Sequence, residues 1–310
     1  MSKTYINQSL IKKFFYKGEK RDYCAMAIKA NTIDKTVSRE SLSMTCGNYF
    51  ETQCLGASIG GKKTLDLPRK KLTAKQILAG QTIGDKKIDQ IRIDQQVMMF
   101  NKLKTEYQIP IEKEMNTQVG VKKIWSKNDN IILQGEIDIF PASIALPTRG
   151  LRLCAIDLKL TGTFSDYGEF CWGSPTNLDG IQGKMYHELI RDIDLDFNMQ
   201  ENPNSTIHQV FTPTVRNILK NNDPLFFFWV FNYKEAINNK FIEVEYNKLA
   251  QAELHESIRR TVEELNKNER DNWQGMVPNI DNCSQCALLS CPSRTEKKKE
   301  IEEQQNFEVI

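Results

Sequence analysis

Apolar positions recur with a helical period over roughly the first 60 residues. "SLIKKFFYKG" and "GNYFETQCLGAS" place hydrophobic side chains three and four apart, with glycine as punctuation. Residues 61–90, holding Gly61, Gly80 and Gly84, read as a loop with a short helix, and residues 90–107 as the next helix. The period then falls to two. "NIILQGEIDIF" (130–140) and "LRLCAIDLKL" (151–160) are strands, joined by a turn containing Pro141, Pro147 and Gly150. A loop with Gly173, Pro175 and Gly180 leads into a helix, "DGIQGKMYHELIRDI". "PLFFFWVFNYK" (224–234) is a strongly apolar strand and "KFIEVEYNK" (240–248) an alternating one. Residues 249–268 form a long amphipathic helix, before a cysteine-rich segment and a charged tail. This order predicts an α/β or α+β chain with a central sheet.

Within that pattern, "AIDLKLTG" (155–162) is anomalous. Side chains of a strand alternate between faces, so Ile156, Leu158 and Leu160 share one face, while Asp157 and Lys159 share the other. A carboxylate and an ammonium are costly to bury unless each finds partners. On the upstream strand, Asp138 shares a face with Glu136, Gln134 and Ile132. If the two strands are neighbours, Asp138 and Asp157 converge, and carboxylates gathered in this way hold hard divalent cations such as Mg²⁺. The backbone carbonyl of Leu158 is a further candidate ligand, and Lys159 would stand beside an attacking water. A plain ion pair between Asp157 and Lys159, or with a neighbouring strand, is the other reading.

Composition constrains the rest. The 310 residues carry a net charge of only +2, so no global polycation argument points to nucleic acid. Charge is uneven, however. Residues 62–87 hold eight Lys/Arg against two Asp, a block able to contact phosphates or simply to lie solvated. No apolar run approaches the roughly 20 residues that span a bilayer, and "MSKTYINQSLIKKFF" lacks the apolar core of a signal peptide. A cytoplasmic protein without a membrane partner is expected. The eight cysteines then read as thiols or metal ligands before disulfides. Cys283-x2-Cys286-x4-Cys291-Pro292 is spaced as part of one metal or cluster ligand set, and Cys24 near the other terminus is the candidate fourth member. Cys46, Cys54, Cys154 and Cys171 have no such spacing and read as small buried side chains.

Gly135-x-x-Asp138, then Asp157-x-Lys159-x-Thr161-Gly162, resembles the signature of the PD-(D/E)XK nuclease superfamily in its RecB-like branch. Gln182-x-x-x-Tyr186 stands where that branch has its Q-x-x-x-Y helix, and Gly47-x-x-x-Glu51 where it has G-x-x-x-H, with Glu replacing His. The split of one cysteine before the core and three after it is similar to the iron–sulfur members of the branch, although their second spacing is x5 rather than x4. The resemblance spans about residues 8–292. It implies a restriction-endonuclease-like core, a central mixed sheet flanked by helices, within a single nuclease domain (1–292) followed by a charged tail (293–310). Its parts would be an N-terminal helical part (1–60), a basic loop (61–90), the core (91–268) and the cysteine segment (275–292).

The resemblance further implies a Mg²⁺- or Mn²⁺-dependent nuclease in DNA replication, recombination or processing, acting as an exonuclease on single-stranded DNA or duplex ends. Asp138 and Asp157, with Leu158 and Glu51, would hold the metal, Lys159 would assist catalysis, and Gln182 and Tyr186 would position the strand. Cys24, Cys283, Cys286 and Cys291 would carry a [4Fe–4S] cluster, with zinc as the alternative, and a helicase or a recombination or replication protein would be the partner. A catalytically silent DNA-binding or scaffold subunit is the rival reading. The aromatic run 226–231 reads as sheet core, and Trp172 as the residue placed to touch a single strand.

Overall fold

The structure is a computed structural model. It describes residues 3–36, 42–56, 87–113, 115–125, 128–146, 150–168, 170–234 and 238–275, together with Leu288 and Cys291. In chain order its elements are β1 (Thr4–Ile6), α1 (Gln8–Phe14), β2 (Phe15–Tyr16), β3 (Glu19–Lys20) and α2 (Ala25–Ile28), which runs into a π-helical turn (Lys29–Ile33). Then come α3 (Leu42–Leu55), α4 (Lys87–Glu106), β4 (Thr117–Trp125), β5 (Asn128–Leu146) and β6 (Gly150–Thr161). The chain continues with α5 (Ile181–Ile190), α6 (Leu195–Glu201), α7 (Ile207–Val210), α8 (Pro213–Asn221), β7 (Leu225–Asn232), β8 (Asn238–Glu243) and α9 (Lys248–Arg270). Two compact units result: Met1–Gln8 with Ser41–Leu254, and Ser9–Glu40 with His255–Ile310.

In the first unit six described strands form one mixed sheet whose hub is β5. Along one edge β5 pairs antiparallel with β4. Along the other it pairs in parallel with β1 at Ile131–Leu133, then antiparallel with β6 from Ile139 onward. β6 pairs in parallel with β7, and β7 antiparallel with β8. The fold is α/β, with the central sheet that the apolar pattern predicts; the sheet is mixed and flanked by helices, as the resemblance implies. Every position of β7 is buried. Leu225, Phe227, Trp229 and Phe231 join Phe50 of α3 and Phe100 of α4 in the main core, with Phe100 and Trp229 ring centroids 5.2 Å apart. On the opposite face, Phe226 packs against Tyr186 of α5 at 5.4 Å. An all-apolar strand is what a layer covered on both sides demands.

Two strands of this sheet, β1 and β4, escape the sequence pattern, as does the short β2–β3 pair within the part expected to be helical. Thr4–Ile6 lies where a helical N-terminal part is expected, but three residues carry no period, and pairing with β5 decides their conformation. In β4 the alternation of Val119 and Val121 is broken by Lys122 and Lys123, whose charges find tertiary partners. Lys123 Nζ donates to Glu188 Oε1 at 3.1 Å and to the Arg191 carbonyl at 2.7 Å. β4 is also closed at its outer edge. Buried Asn198 of α6 accepts from Lys122 N at 2.7 Å and donates to Lys122 O at 2.7 Å, standing in for a neighbouring strand.

The second unit builds its core from Leu10, Phe14 and Phe15, with Ala25, Ile28, Leu265 and Trp273. Tyr23 sets its ring edge-on to Phe14 at 4.8 Å, and its hydroxyl donates to Glu264. The basic block 62–87, apart from Lys87, and the tail 293–310 lie outside the described residues. Among the described residues no helix is long and apolar enough to cross a membrane.

The seat of α5 on the sheet depends on glycine. A Cβ on Gly183 would stand 2.8 Å from both Phe226 and Val244. Replacing a helical glycine by alanine gains up to about 1 kcal/mol of propensity, whereas forced overpacking costs about 1–3 kcal/mol. Crowding wins: Gly183→Ala is expected to lower stability in urea unfolding, and unchanged or raised stability would contradict the close seat.

Candidate active site

The β5/β6 ladder pairs Ile139 with Ile156 and then shifts at a bulge before Ala142. Continued one residue the other way, the register sets Asp138 opposite Asp157, on one face. Here a side chain enters the ladder: Leu158 N donates to Asp138 Oδ2 at 2.7 Å. Asp157 is 2 % exposed. Its Oδ1 accepts from Gln182 Nε2 at 2.6 Å, and its Oδ2 is ion-paired with Lys159 Nζ. The lysine side chain, 27 % exposed, is the member of the set that reaches solvent. The anomalous polar face of β6 is thus fully engaged, in part by the plain ion pair that the sequence also allows.

The helix that carries Gln182 and Tyr186 is seated directly on the strand that carries Gly135 and Asp138. Gly135 has no Cβ, and one placed there would meet the Tyr186 ring at 2.7 Å and Leu189 at 2.8 Å. With that space open, Tyr186 lies on β5 and donates to the Glu136 carbonyl at 2.6 Å, while receiving Gln182 Nε2 at 3.2 Å. Gln182 and Tyr186 are buried and turned inward. In this arrangement they orient Asp157 and the strand backbone.

Glu51 of α3 joins the set. Gln118 Nε2 donates to Glu51 Oε1 at 2.9 Å, and the Glu51 charge is felt at both Asp138 and Lys159. Gln118 itself is invisible to sequence reasoning. It sits opposite Asp138 in the β4/β5 register, buried, with φ at +51°, a left-handed conformation rare for a residue inside a strand. No motif marks it; only the register and the backbone angle do.

Burial pushes the Asp138 carboxyl well above the usual range, and the charges of Asp157 and Glu51 add to the rise. Burial alone pulls the Lys159 ammonium down, but Asp157, Asp138 and Glu51 outweigh it and hold its pKa above the ordinary lysine value. Burial likewise lifts the Tyr186 phenol well up, so it remains a neutral donor. Three carboxyl groups therefore crowd around one lysine, and a cation placed among them would favour their ionised forms. Among the described residues, however, no group of three or more His, Cys, Asp or Glu side chains stands ready to hold a metal ion; Gln182 and Lys159 engage the Asp157 oxygens, and Leu158 N engages Asp138 Oδ2.

The remaining candidates are spread more widely. Trp172 is not an exposed contact: it is 6 % exposed, its ring set edge-on to Phe228 at 5.4 Å. Cys46, Cys54, Cys154 and Cys171 are buried, as expected. Cys24 and Cys291 are half-buried and belong to the second unit. Cys283 and Cys286 lie outside the described residues. A cavity of about 360 Å³, lined by Arg191, Phe211 and Arg216 among others, opens at the end of α5 away from Gln182 and contains none of these groups.

No protein-family model matches the sequence, and no curated protein matches it significantly. Among solved structures, one from Eubacterium rectale, named as a proposed exonuclease, is similar at 15% identity with a TM-score of 0.40, over 86% of this chain and 80% of that one. Another, named SSO0001, is similar at 10% identity with a TM-score of 0.37, over 95% and 88% of the two chains. Likeness this loose leaves the chemistry to the chain's own residues.

The raised Asp138 pKa has a signed consequence. A carboxyl that holds its proton more tightly folded than unfolded contributes stability at low pH and loses it as pH rises through the folded value. Asp138→Asn fixes the neutral form. In divalent-free buffer its stability relative to wild type is therefore expected to improve steadily with rising pH, as read by thermal melting; a difference independent of pH would contradict the assigned environment.

Proposed function

We propose that this protein is a metal-dependent nuclease that hydrolyses phosphodiester bonds in DNA, acting as an exonuclease on single strands or duplex ends. The observation that carries this reading is the convergence of Asp138, Asp157 and Lys159 from two adjacent strands, with Glu51 in electrostatic reach. Folding alone does not favour such a set, since buried ion pairs are commonly no better than apolar residues of similar volume. Asp138 and Asp157 would hold Mg²⁺ or Mn²⁺, aided by Glu51 and the Leu158 carbonyl, because oxygen donors with excess negative charge match hard cations. A cation there supplies charge neutralisation at the phosphate and a more acidic water.

The chain's own groups complete the arrangement. Lys159, held charged at the solvent side, would steady the attacking oxygen and the phosphate electrostatically; its raised pKa argues against a role as general base. Gln182 fixes the orientation of Asp157, and Tyr186, kept neutral, ties that helix to β5. The engagement of Asp157 by Lys159 and Gln182 favours the rival reading, a silent DNA-binding subunit, if no cation can open it. Degradation of end-labelled single- and double-stranded DNA with Mg²⁺ decides between them. Wild type is expected to cleave, with Asp138→Ala, Asp157→Ala and Lys159→Ala each down by about a hundredfold or more; no cleavage by wild type would leave the binding subunit.

For the cysteines, the reading is a [4Fe–4S] cluster on Cys24, Cys283, Cys286 and Cys291, with zinc as the alternative. It is supported by the placement of Cys24 and Cys291 in one compact unit and by the tether of neighbouring Tyr23 to Glu264 and Asn268 of α9. Anaerobically purified protein is expected to be brown, with about four iron atoms per chain, and Cys24→Ser to lose them. Colourless protein with one equivalent of zinc would replace the cluster by a zinc site.

A further inference from the structure

The segment that follows Lys159 connects β6 to α5, and it is built with care. Gly173 N donates to Ser165 O at 2.8 Å, and Asn177 Nδ2 to Asp166 O at 3.1 Å. Ser165 Oγ accepts from Tyr167 N at 3.1 Å. The chain crosses itself so closely that a Cβ on Gly173 would meet Asp166 Oδ1 at 2.1 Å. Yet this knitted segment leaves Tyr167 86 % exposed and Phe170 56 % exposed.

Isolated exposed aromatics are ordinary, but Phe170 is not isolated. It stacks on Trp172 with centroids 6.1 Å apart and planes at 21°. Trp172 rests on Phe228, and the Phe228 ring lies 5.7 Å from Lys159 Nζ. A continuous run of rings therefore leads from the site's lysine to solvent and ends on Phe170. Cations flank its root: Lys240 Nζ stands 4.5 Å over the Phe164 ring, and the Lys234 side chain lies against Gly162.

We infer that Phe170, with Tyr167 on the same segment, is a stacking platform for unpaired bases of a single-stranded nucleic acid whose phosphate lies at Asp138, Asp157 and Lys159. The inference rests on the nuclease reading and deepens it by naming the strand state of the substrate. Rings among lysines match a polyanion carrying flat π-faces, the combination by which single strands are held without regard to sequence. A duplex offers no match, because its bases already stack on one another. Trp172, buried, supports the platform from below.

The test is equilibrium binding in EDTA, which separates binding from hydrolysis. The probes are a labelled oligothymidylate and an abasic strand of equal length. Wild type is expected to prefer the base-bearing strand. Phe170→Ala should weaken that binding roughly 5- to 100-fold while leaving the abasic strand unchanged, and Phe170→Trp should restore it, with circular dichroism unaltered throughout. Equal binding of the thymidylate by Phe170→Ala and wild type, an equal loss on the abasic strand, or no wild-type binding at all would overturn the platform. A protein that cleaves nothing but shows the selective loss keeps the platform and loses the hydrolase; one that cleaves, with no selective loss, does the reverse.

Discussion

The structure turns on one constraint: a carboxylate buried in the middle of a sheet must be partnered, and Asp157 is partnered from two directions. Lys159 comes from its own strand and Gln182 from the helix above, while Asp138, a like charge standing opposite, is held by Leu158 N. Each partner fixes an element. The Gln182 contact sets the rotation of α5, which needs the narrow approach that Gly135 permits, and the Asp138 contact ties β5 to β6 beside the Ile139–Ile156 pair, on the side away from the bulge. Moving any one of them would strand a charge at the site, at a cost of several kcal/mol. The polar set thus acts as a register lock for the sheet as well as a candidate catalytic centre.

Much of this is legible in the sequence because the relevant patterns are local. The alternation in 130–140 and 151–160, the apolar run at 225–231 and the amphipathic helix after residue 248 all appear where expected, but β5 runs on through Pro141 to Leu146, where a turn is expected, because those residues pair with the start of β6. Asp138, Asp157, Lys159, Gln182 and Tyr186 gather, and Glu51 joins them through Gln118. Other features depend on distant partners and stay hidden. β1 is three residues long and exists through β5; β4 carries two lysines whose charges are answered by Glu188 and by carbonyls; Gln118 matters through a backbone angle that no composition betrays. The inward turn of Gln182 and Tyr186 is of the same kind, since spacing puts them on one helical face but does not say which neighbour claims their polar atoms.

The two faces of the sheet divide the labour. Toward α3 and α4 the strands β5, β6 and β7 present mostly apolar side chains, and that face supplies the tightly packed aromatic core around Trp229. Toward α5 they mix aromatic rings with the charged set, and Phe228 belongs to both, packed under Trp172 and lying beside Lys159. The large apolar core thus lies on the face away from the crowded like charges around Asp138.

Closure of the β4 edge by Asn198 reaches beyond the single chain. An amide that occupies both the donor and the acceptor of Lys122, together with the Ser205 hydroxyl on the Gly120 carbonyl, takes up hydrogen-bonding groups that an outside strand would need. A foreign β-strand approaching this margin therefore meets groups that are already spent.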